Sequence, residues 1–579
     1  MSKRVCITAY FAVVFISASL VFVEGRPIRG PDFDSCQPFY PLPRAGGDPS
    51  ETAGADLLEC CVFDTSRPIK EFKFNLDLPM RVRRPAHKLD DEFIRKYERA
   101  VELMRALPPE DPRSFSAQAK LHCAYSGSAY KQFNTSVKLS VHSSWLLFPF
   151  HRWYTYFHER ILASLIGDDT FAIPYWAWDV QNEDNPPANT IPPIFTDKNS
   201  SLYDEKRSKV HQPPHRVDLS YGIGVPDDKN PDILLQGNYY SMWAAMIGHT
   251  QTTEAFYGGR LSEGDASGHL SQGVFEVGPH ASIHSWTGDK DIGQGEDMWP
   301  SYSAARDPIF FAHHTNVDRL WLMWKSFGGL DYDDPDWLEA EFVFYDENAD
   351  LVRVNIQDSL NLDNFRITYE EVEADWLSHT PQSIRDIDRK YAKSSSILRR
   401  FWHQAVTWSK QDSIAMALGS FLQTDTSDLR ISLRGHKRAP VTSRVSRPDV
   451  VKSMEDSSLS DKSYDEVLVI TGVVDKPFDA TVLLNMFLEL PEADENTPQH
   501  CVEFLGGVGV DAEGLAVGTD PIITREFVKI VGIRHTLRIL GITRQKSVTV
   551  TFVPAWDPKY DTDVSVRVSD LKVERRRVR

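Results

Sequence analysis

Hydrophobic residues follow different rhythms along this chain, and each rhythm predicts its own kind of element. Residues 5–23 are almost continuously apolar, follow Lys3 and Arg4, and end at Glu24-Gly25-Arg26. A basic start, an apolar middle and a polar break read as a leader, so residues 1–25 are predicted to be a cleaved secretory signal peptide. A retained anchor is the alternative; Thr8, Ser17 and Ser19 weaken it in a run barely long enough to span a bilayer. From Asp90, DDEFIRKYERAVELMRAL sets Phe93, Ile94, Tyr97, Val101 and Met104 at helical spacing and stops at Pro108-Pro109. LLFPFHRWYTYFHER and RDPIFFAHHTNVDRLWLMW read as helices dense in aromatics. Pro149 cannot sit inside a regular helix, so the first should start near it. Asp307-Pro308 offers the second an N-cap and a proline at the first helical position. Past residue 463 the rhythm shortens to β-branched runs, VLVITGVV, TVLLNMFLEL, SVTVTFVPA and VSVRVSDLKVE, with strand character.

The changes of rhythm divide the chain into a leader (1–25), a mainly α segment that opens with a Pro-, Gly- and Cys-rich arm (26–350), a middle segment (351–430), a basic Ser-rich stretch read as an exposed linker open to proteolysis (431–463), and a small all-β domain (464–579). Two or three domains suit 579 residues. A hydrophobic content of 41% suffices for globular cores, and a net charge of −18 argues against nucleic acid as a partner. No later stretch is apolar enough to cross a membrane, so none is expected to hold the chain after leader cleavage. Besides Cys6 there are Cys36, Cys60, Cys61, Cys123 and Cys501, a usage that fits an oxidising compartment; adjacent Cys60 and Cys61 should each pair elsewhere. With the sequons at Asn134 and Asn199, this points to the secretory pathway, ending in the vacuole or outside the cell.

Histidines carry the chemistry. His122, His142 and His151 form one set; His280, His284 and His314 form another. Imidazole suits copper, zinc, iron and nickel, with affinity highest for Cu(II), and three neutral rings leave a coordination position open. His280 and His284, four apart, share a helical face; Ala281 stands where a zinc-protease helix needs Glu. His313 points about 100° from His314, so only one of the two should face a metal, and spacing leaves His158 open as a neighbour of His151. His211, His215, His249 and His269 have no partner spacing.

On HCAY (122–125), WLLFPFHRWY (145–154), GPHASIHSWTGD (278–289) and DPIFFAHHTNVDRLW (307–321), the chain resembles the plant polyphenol oxidases, the catechol oxidase and tyrosinase family of type-3 dicopper proteins. FYDENA (344–349), DWL (375–377) and KPFDATVLLN (476–485) extend the resemblance over nearly the whole chain. It implies two copper ions, CuA on His122, His142 and His151 and CuB on His280, His284 and His314. It also implies disulfides Cys36–Cys61 and Cys60–Cys123, and a mainly α core, a four-helix bundle around the dicopper site, followed by a C-terminal β domain that shields it. Glu276 matches the family position that holds a water near the coppers and assists phenol deprotonation; a surface or helix-start carboxylate is the ordinary alternative. Ala281, Ser285 and Ser301 fall at substrate-pocket positions. Two positions depart from the pattern: Ser126 replaces the Cys that forms a thioether to the second CuA histidine, and Ser301 replaces a gating Phe, which should admit bulkier phenols.

The implied activity is oxidation of o-diphenols to o-quinones with O2 reduced to water, monophenol hydroxylation being weak because Ala281 offers no hydrogen-bond acceptor. The small phenol and O2 are the implied partners, and latency until the β domain is removed is expected. An oxygen-binding protein on the same paired site, or a copper-free secreted relative suggested by Ser126, are the competing readings. Phe310, Phe311, Trp321 and Trp324 are read as core rather than substrate-stacking rings, Asp318 and Arg319 as a structural ion pair or anchor.

Overall fold

The computed structural model describes residues 25–41, 57–182, 187–222, 230–264, 271–288, 297–384, 386–387, 429–433, 440–448, 464–477, 482–510, 515–516, 522–556 and 564–578. The predicted leader lies outside them, apart from Gly25. The core is helical and the C-terminal part is β, as the sequence predicts. Helix α1 (Asp91–Ala106) starts where the Asp90 carboxylate accepts from Phe93 N, and it buries Tyr97, Ala100, Val101 and Met104. Helix α2 spans Phe115–Ala124, α3 Leu147–Ile166, α4 Pro231–Trp243, α5 Ala281–Thr287 and α6 Ile309–Ser326. Helix α3 is buried on all sides from Leu147 to Ala163, which makes it the central rod of the core. It begins two residues before Pro149, whose missing N–H costs nothing in a first turn, and it stops at left-handed Gly167. Helix α6 begins one residue later than expected, with Pro308 at the N-cap position rather than the first helical one; Asp307, one residue further out, still accepts from Ile309 N at 2.9 Å.

Buried charge joins the central helices. Arg152 donates to Asp318 at 2.6 Å, linking α3 to α6, while Arg81 and Arg83 both grip Glu159 of α3 at 3.0 Å. The N-terminal arm is closed by Cys36–Cys61 and Cys60–Cys123, the second of which ties it to α2 beside His122.

Two four-stranded antiparallel sheets form the β domain, in the orders Leu429–Leu433, Val564–Arg577, Tyr464–Pro477, Ile522–Gly532 and Val441–Ser446, Ser547–Trp556, Val482–Leu488, Phe504–Val510. Leu468, Ile470, Leu484, Met486, Phe527, Val550, Phe552 and Val566 fill the space between them. Two expected boundaries need correction. The stretch 431–463 is not a bare linker: Leu429–Leu433 pairs with 564–568, and Val441–Ser446 pairs with 547–552, so among the described residues the first strand of the domain is Leu429–Leu433. RISL alternates polar and apolar residues, but VTSRVS carries apolar side chains only at Val441 and Val445, and the basic, Ser-rich surroundings obscured both strands. The boundary at 350/351 falls inside a hairpin whose strands, Glu341–Tyr345 and Leu351–Asn355, pair with each other. Among the described residues no helix is long and apolar enough to cross a membrane.

The sandwich docks on the core through paired polar groups. Gly532 N donates to His249 O at 3.0 Å and His249 Nδ1 donates back to Gly532 O at 2.8 Å. Lys529, buried, reaches the carbonyls of Gln272 and Gly273 at 3.2 and 3.4 Å.

Candidate metal centre

Six imidazoles converge where α2, α3, α5 and α6 meet. His122 comes from α2, His142 from the loop after strand Lys138–Ser140, and His151 from the second turn of α3. Their ring centroids stand 5.2 to 5.4 Å apart, and the Nε2 atoms of His122 and His151 are 3.3 Å apart. His280 ends a widened turn, Glu276–His280, that kinks at Gly278; His284 lies one turn later on α5, and His314 on α6. These three centroids are separated by 4.8, 5.3 and 5.4 Å. The trios face each other through His151 and His314, stacked 3.9 Å apart and nearly parallel at 6°.

Hydrogen bonds fix which nitrogen points inward. His151 Nδ1 meets Leu147 O at 2.8 Å, His280 Nδ1 meets Glu276 O at 3.2 Å, and His284 Nδ1 meets Met298 O at 3.0 Å. A carbonyl only accepts, so each Nδ1 carries the proton and each Nε2 presents a lone pair. His280 Nε2 and both nitrogens of His314 are buried without a hydrogen-bond partner. Burial, reinforced by neighbouring imidazoles, pushes His122, His151, His280 and His314 well below the ordinary histidine value; His142 falls to about 3 and His284 to about 4. Neutral rings, with His280 Nε2 and the His314 nitrogens buried without a partner, fit a pair of soft-to-borderline metal ions.

The other predicted residues differ in exposure. Ala281 and Ser285 are half-buried, and Ser301 is exposed. Ser285 Oγ donates to Ala281 O at 3.0 Å. Glu276 Oε1 accepts from Ser143 N at 2.6 Å, joining the loop after His142 to the turn before His280. Burial brings the Lys529 ammonium down to about 7 against the opposing pull of Glu276. Ser126 Oγ donates to His122 O at 2.8 Å, and His142 Nδ1 has no hydrogen-bond partner.

One residue escaped sequence reasoning. His313 was expected to face away, yet its ring nitrogen falls in one group with His280, His284 and His314; its centroid is 4.7 Å from His284 and 5.3 Å from His280. Neighbours 100° apart can both border a cavity when the facing segment wraps the helix, as 276–284 does here. Phe310 is buried in the core, as the sequence reading has it, and it also contacts both trios, with centroids 4.8 Å from His122 and 4.3 Å from His314. Its place four residues before His314, hence on the same face, was the available signal. His158 stacks on Phe311 at 3.4 Å, outside both groups. His211 packs on Trp286, His249 serves the domain interface, and His269 lies outside the described residues.

A helical core with two facing histidine trios and a β sandwich docked beside them defines a type-3 copper protein. Residues 112–326 match the common central domain of tyrosinase, and residues 331–382 match the polyphenol oxidase middle domain. Aureusidin synthase from Antirrhinum majus is 38% identical over 503 residues, covering 84% of this chain and 80% of that protein. The chloroplastic polyphenol oxidase of Malus domestica is 37% identical over 564 residues, covering 96% and 85%. The latent apple tyrosinase structure matches with a TM-score of 0.69 at 34% identity, over 88% of this chain and all of that one. Latent aurone synthase matches at 0.75 and 30%, over 96% and 100%. The chain belongs to the plant polyphenol oxidase family, and two copper ions are its cofactor. One expectation falls: the relatives from Vicia faba, Prunus armeniaca, Malus domestica and Vitis vinifera are chloroplastic, which contradicts a vacuolar or extracellular destination. A basic start and an apolar run mark a segment for translocation without specifying the membrane it crosses.

Proposed function

We propose that this enzyme oxidises o-diphenols to o-quinones with O2 as acceptor, with CuA held by His122, His142 and His151 and CuB by His280, His284 and His314. The observation that carries the reading is the stacked pair His151–His314, which sets the two trios of buried imidazoles against each other, with Nε2 of His151, His280 and His284 free to bind. The copper pair supplies the redox and Lewis-acid chemistry when bound. The chain's own residues orient the substrate and handle its protons. Phe310 places its ring between the trios, and the small exposed Ser301 puts no bulky ring beside His122. Glu276 holds the His142 loop in place through Ser143 N and is the carboxylate nearest in role to a proton acceptor for the phenol. With Ala281 rather than a hydrogen-bonding residue after His280, diphenol oxidation should exceed monophenol hydroxylation.

The (+)-larreatricin hydroxylase of Larrea tridentata, 36% identical over 537 residues, makes phenol hydroxylation the competing reading. Oxygen uptake by copper-loaded protein separates the two: steady uptake with a catechol and at most slow uptake with the matched monophenol supports diphenol oxidation. Equal rates without a lag would reject it, and reversible oxygen binding without consumption would indicate a carrier. Latency through the docked sandwich and a chloroplast destination are part of the same proposal; a fluorescent fusion to the N-terminal segment tests the second.

A further inference from the structure

Behind the second trio lies a buried polar assembly that the proposed reaction does not use. Asp179 is fully buried, and its Oδ1 accepts from Asn316 Nδ2 at 2.9 Å and from Arg319 Nη1 at 3.1 Å. Its Oδ2 accepts from Trp376 Nε1 at 3.3 Å. Arg319 also donates to Asn316 Oδ1 at 2.8 Å and lies 5.0 Å over the Tyr175 ring. Asn316 and Arg319 sit on α6 just past His314, whereas Trp376 belongs to the middle segment, in the DWL triplet 375–377. Asp375 secures the same junction, accepting from Gln181 N and from Tyr239 OH, each at 3.1 Å. The middle segment therefore grips the histidine-bearing helix from behind through one carboxylate.

That grip bears on a specific ambiguity. His313 and His314 both offer ring nitrogens to the second group, and a turn of α6 about its axis exchanges which one meets the first trio. Asn316, held from the far side by Asp179, opposes that turn. A buried carboxylate satisfied by an amide, a guanidinium and an indole is a stiff anchor, because losing any one donor leaves polar atoms stranded without water.

We infer that the middle segment positions the second copper: Trp376 and Asp179 hold Asn316, and so set the rotation of α6 that presents His314 rather than His313 to the facing trio. Trp376 and Asp179 are positioning residues here, since neither reaches the metal. The inference rests on the reading of His314 as a ligand.

The test uses the full chain with Trp376→Phe, which keeps a buried ring and removes the indole donor, and Asp179→Asn, which keeps the shape and removes the charge. Exposed Leu377→Ala is the control. Copper content, the rate of copper transfer to a chelator, the electron paramagnetic resonance of the copper(II) form, and melting of the metal-free protein are measured together. Outer partners of metal ligands commonly change affinity by about ten-fold or more, so the two variants should release one copper about ten-fold faster and the other at the parental rate. A resonance signal from uncoupled copper should appear in them and stay absent from parent and control. Two coppers released at parental rates would overturn the inference, as would equal loss of both in step with a lower melting temperature. Should Asp179→Asn not fold, Trp376→Phe decides alone. A parent binding fewer than two coppers would instead overturn the ligand assignment itself.

Discussion

Ser301 stands exposed, and its carbonyl accepts from Ser126 Oγ at 3.5 Å beside His122, so a large ring at this position would narrow an approach to the first trio from that side. Replacing it by Phe should therefore lower kcat/KM for bulky diphenols by roughly ten-fold relative to catechol, the scale on which pocket shape discriminates. An unchanged ratio would show that Ser301 does not border the approach. His158 makes a different prediction. Burial against Phe311 pushes it down to about 3, below its unfolded value near 6.5. A depressed histidine contributes stability that is complete above the unfolded value and is lost as pH falls toward the folded one. Unfolding free energy of the metal-free protein should thus fall with acid below about pH 6.5, and His158→Phe should reduce that slope by about 1.4 kcal/mol per pH unit between roughly 4 and 6. At this scale the histidines were visible in the sequence because their residue type is informative by itself. The place of His313 was not, since it depends on how His280 and His284 meet α6 in space.

Helices α3 and α6 each carry a ligand candidate, and the ion pair between Arg152 and Asp318 lies directly beneath both. Arg152→Ala leaves a buried carboxylate facing fewer donors, so denaturant unfolding should show a loss of about 3–5 kcal/mol. A loss under about 1 kcal/mol would mean that Arg83 and Tyr369, which also donate to Asp318, carry the load alone. The Cys60–Cys123 bridge closes 63 residues of chain beside His122, and in the chain-entropy account it contributes about 4 kcal/mol. The core helices were legible because aromatic density and caps mark them. Strands Leu429–Leu433 and Val441–Ser446 were not: short edge strands with basic, Ser-rich flanks look like linker until their partners more than a hundred residues away are known.

At the scale of the whole molecule, the sandwich is fastened to the core at His249, Gln272 and Gly273, just ahead of the turn that bears Glu276 and His280. Cleavage within 449–463 would leave Val441–Ser446 paired into the sandwich, so release of the whole domain requires a cut ahead of Leu429. If docking restrains the site, Lys529→Met in the uncut chain should raise diphenol turnover at least about five-fold, the low end of ordinary coupling between sites. Turnover equal to the parent would place the restraint elsewhere. The central claim is the pair of trios, and anomalous X-ray diffraction at the copper edge tests it most directly. The account predicts two peaks per chain, one ringed by His122, His142 and His151 and the other by His280, His284 and His314; a single peak, or a second ion held by His313 in place of His314, would contradict it.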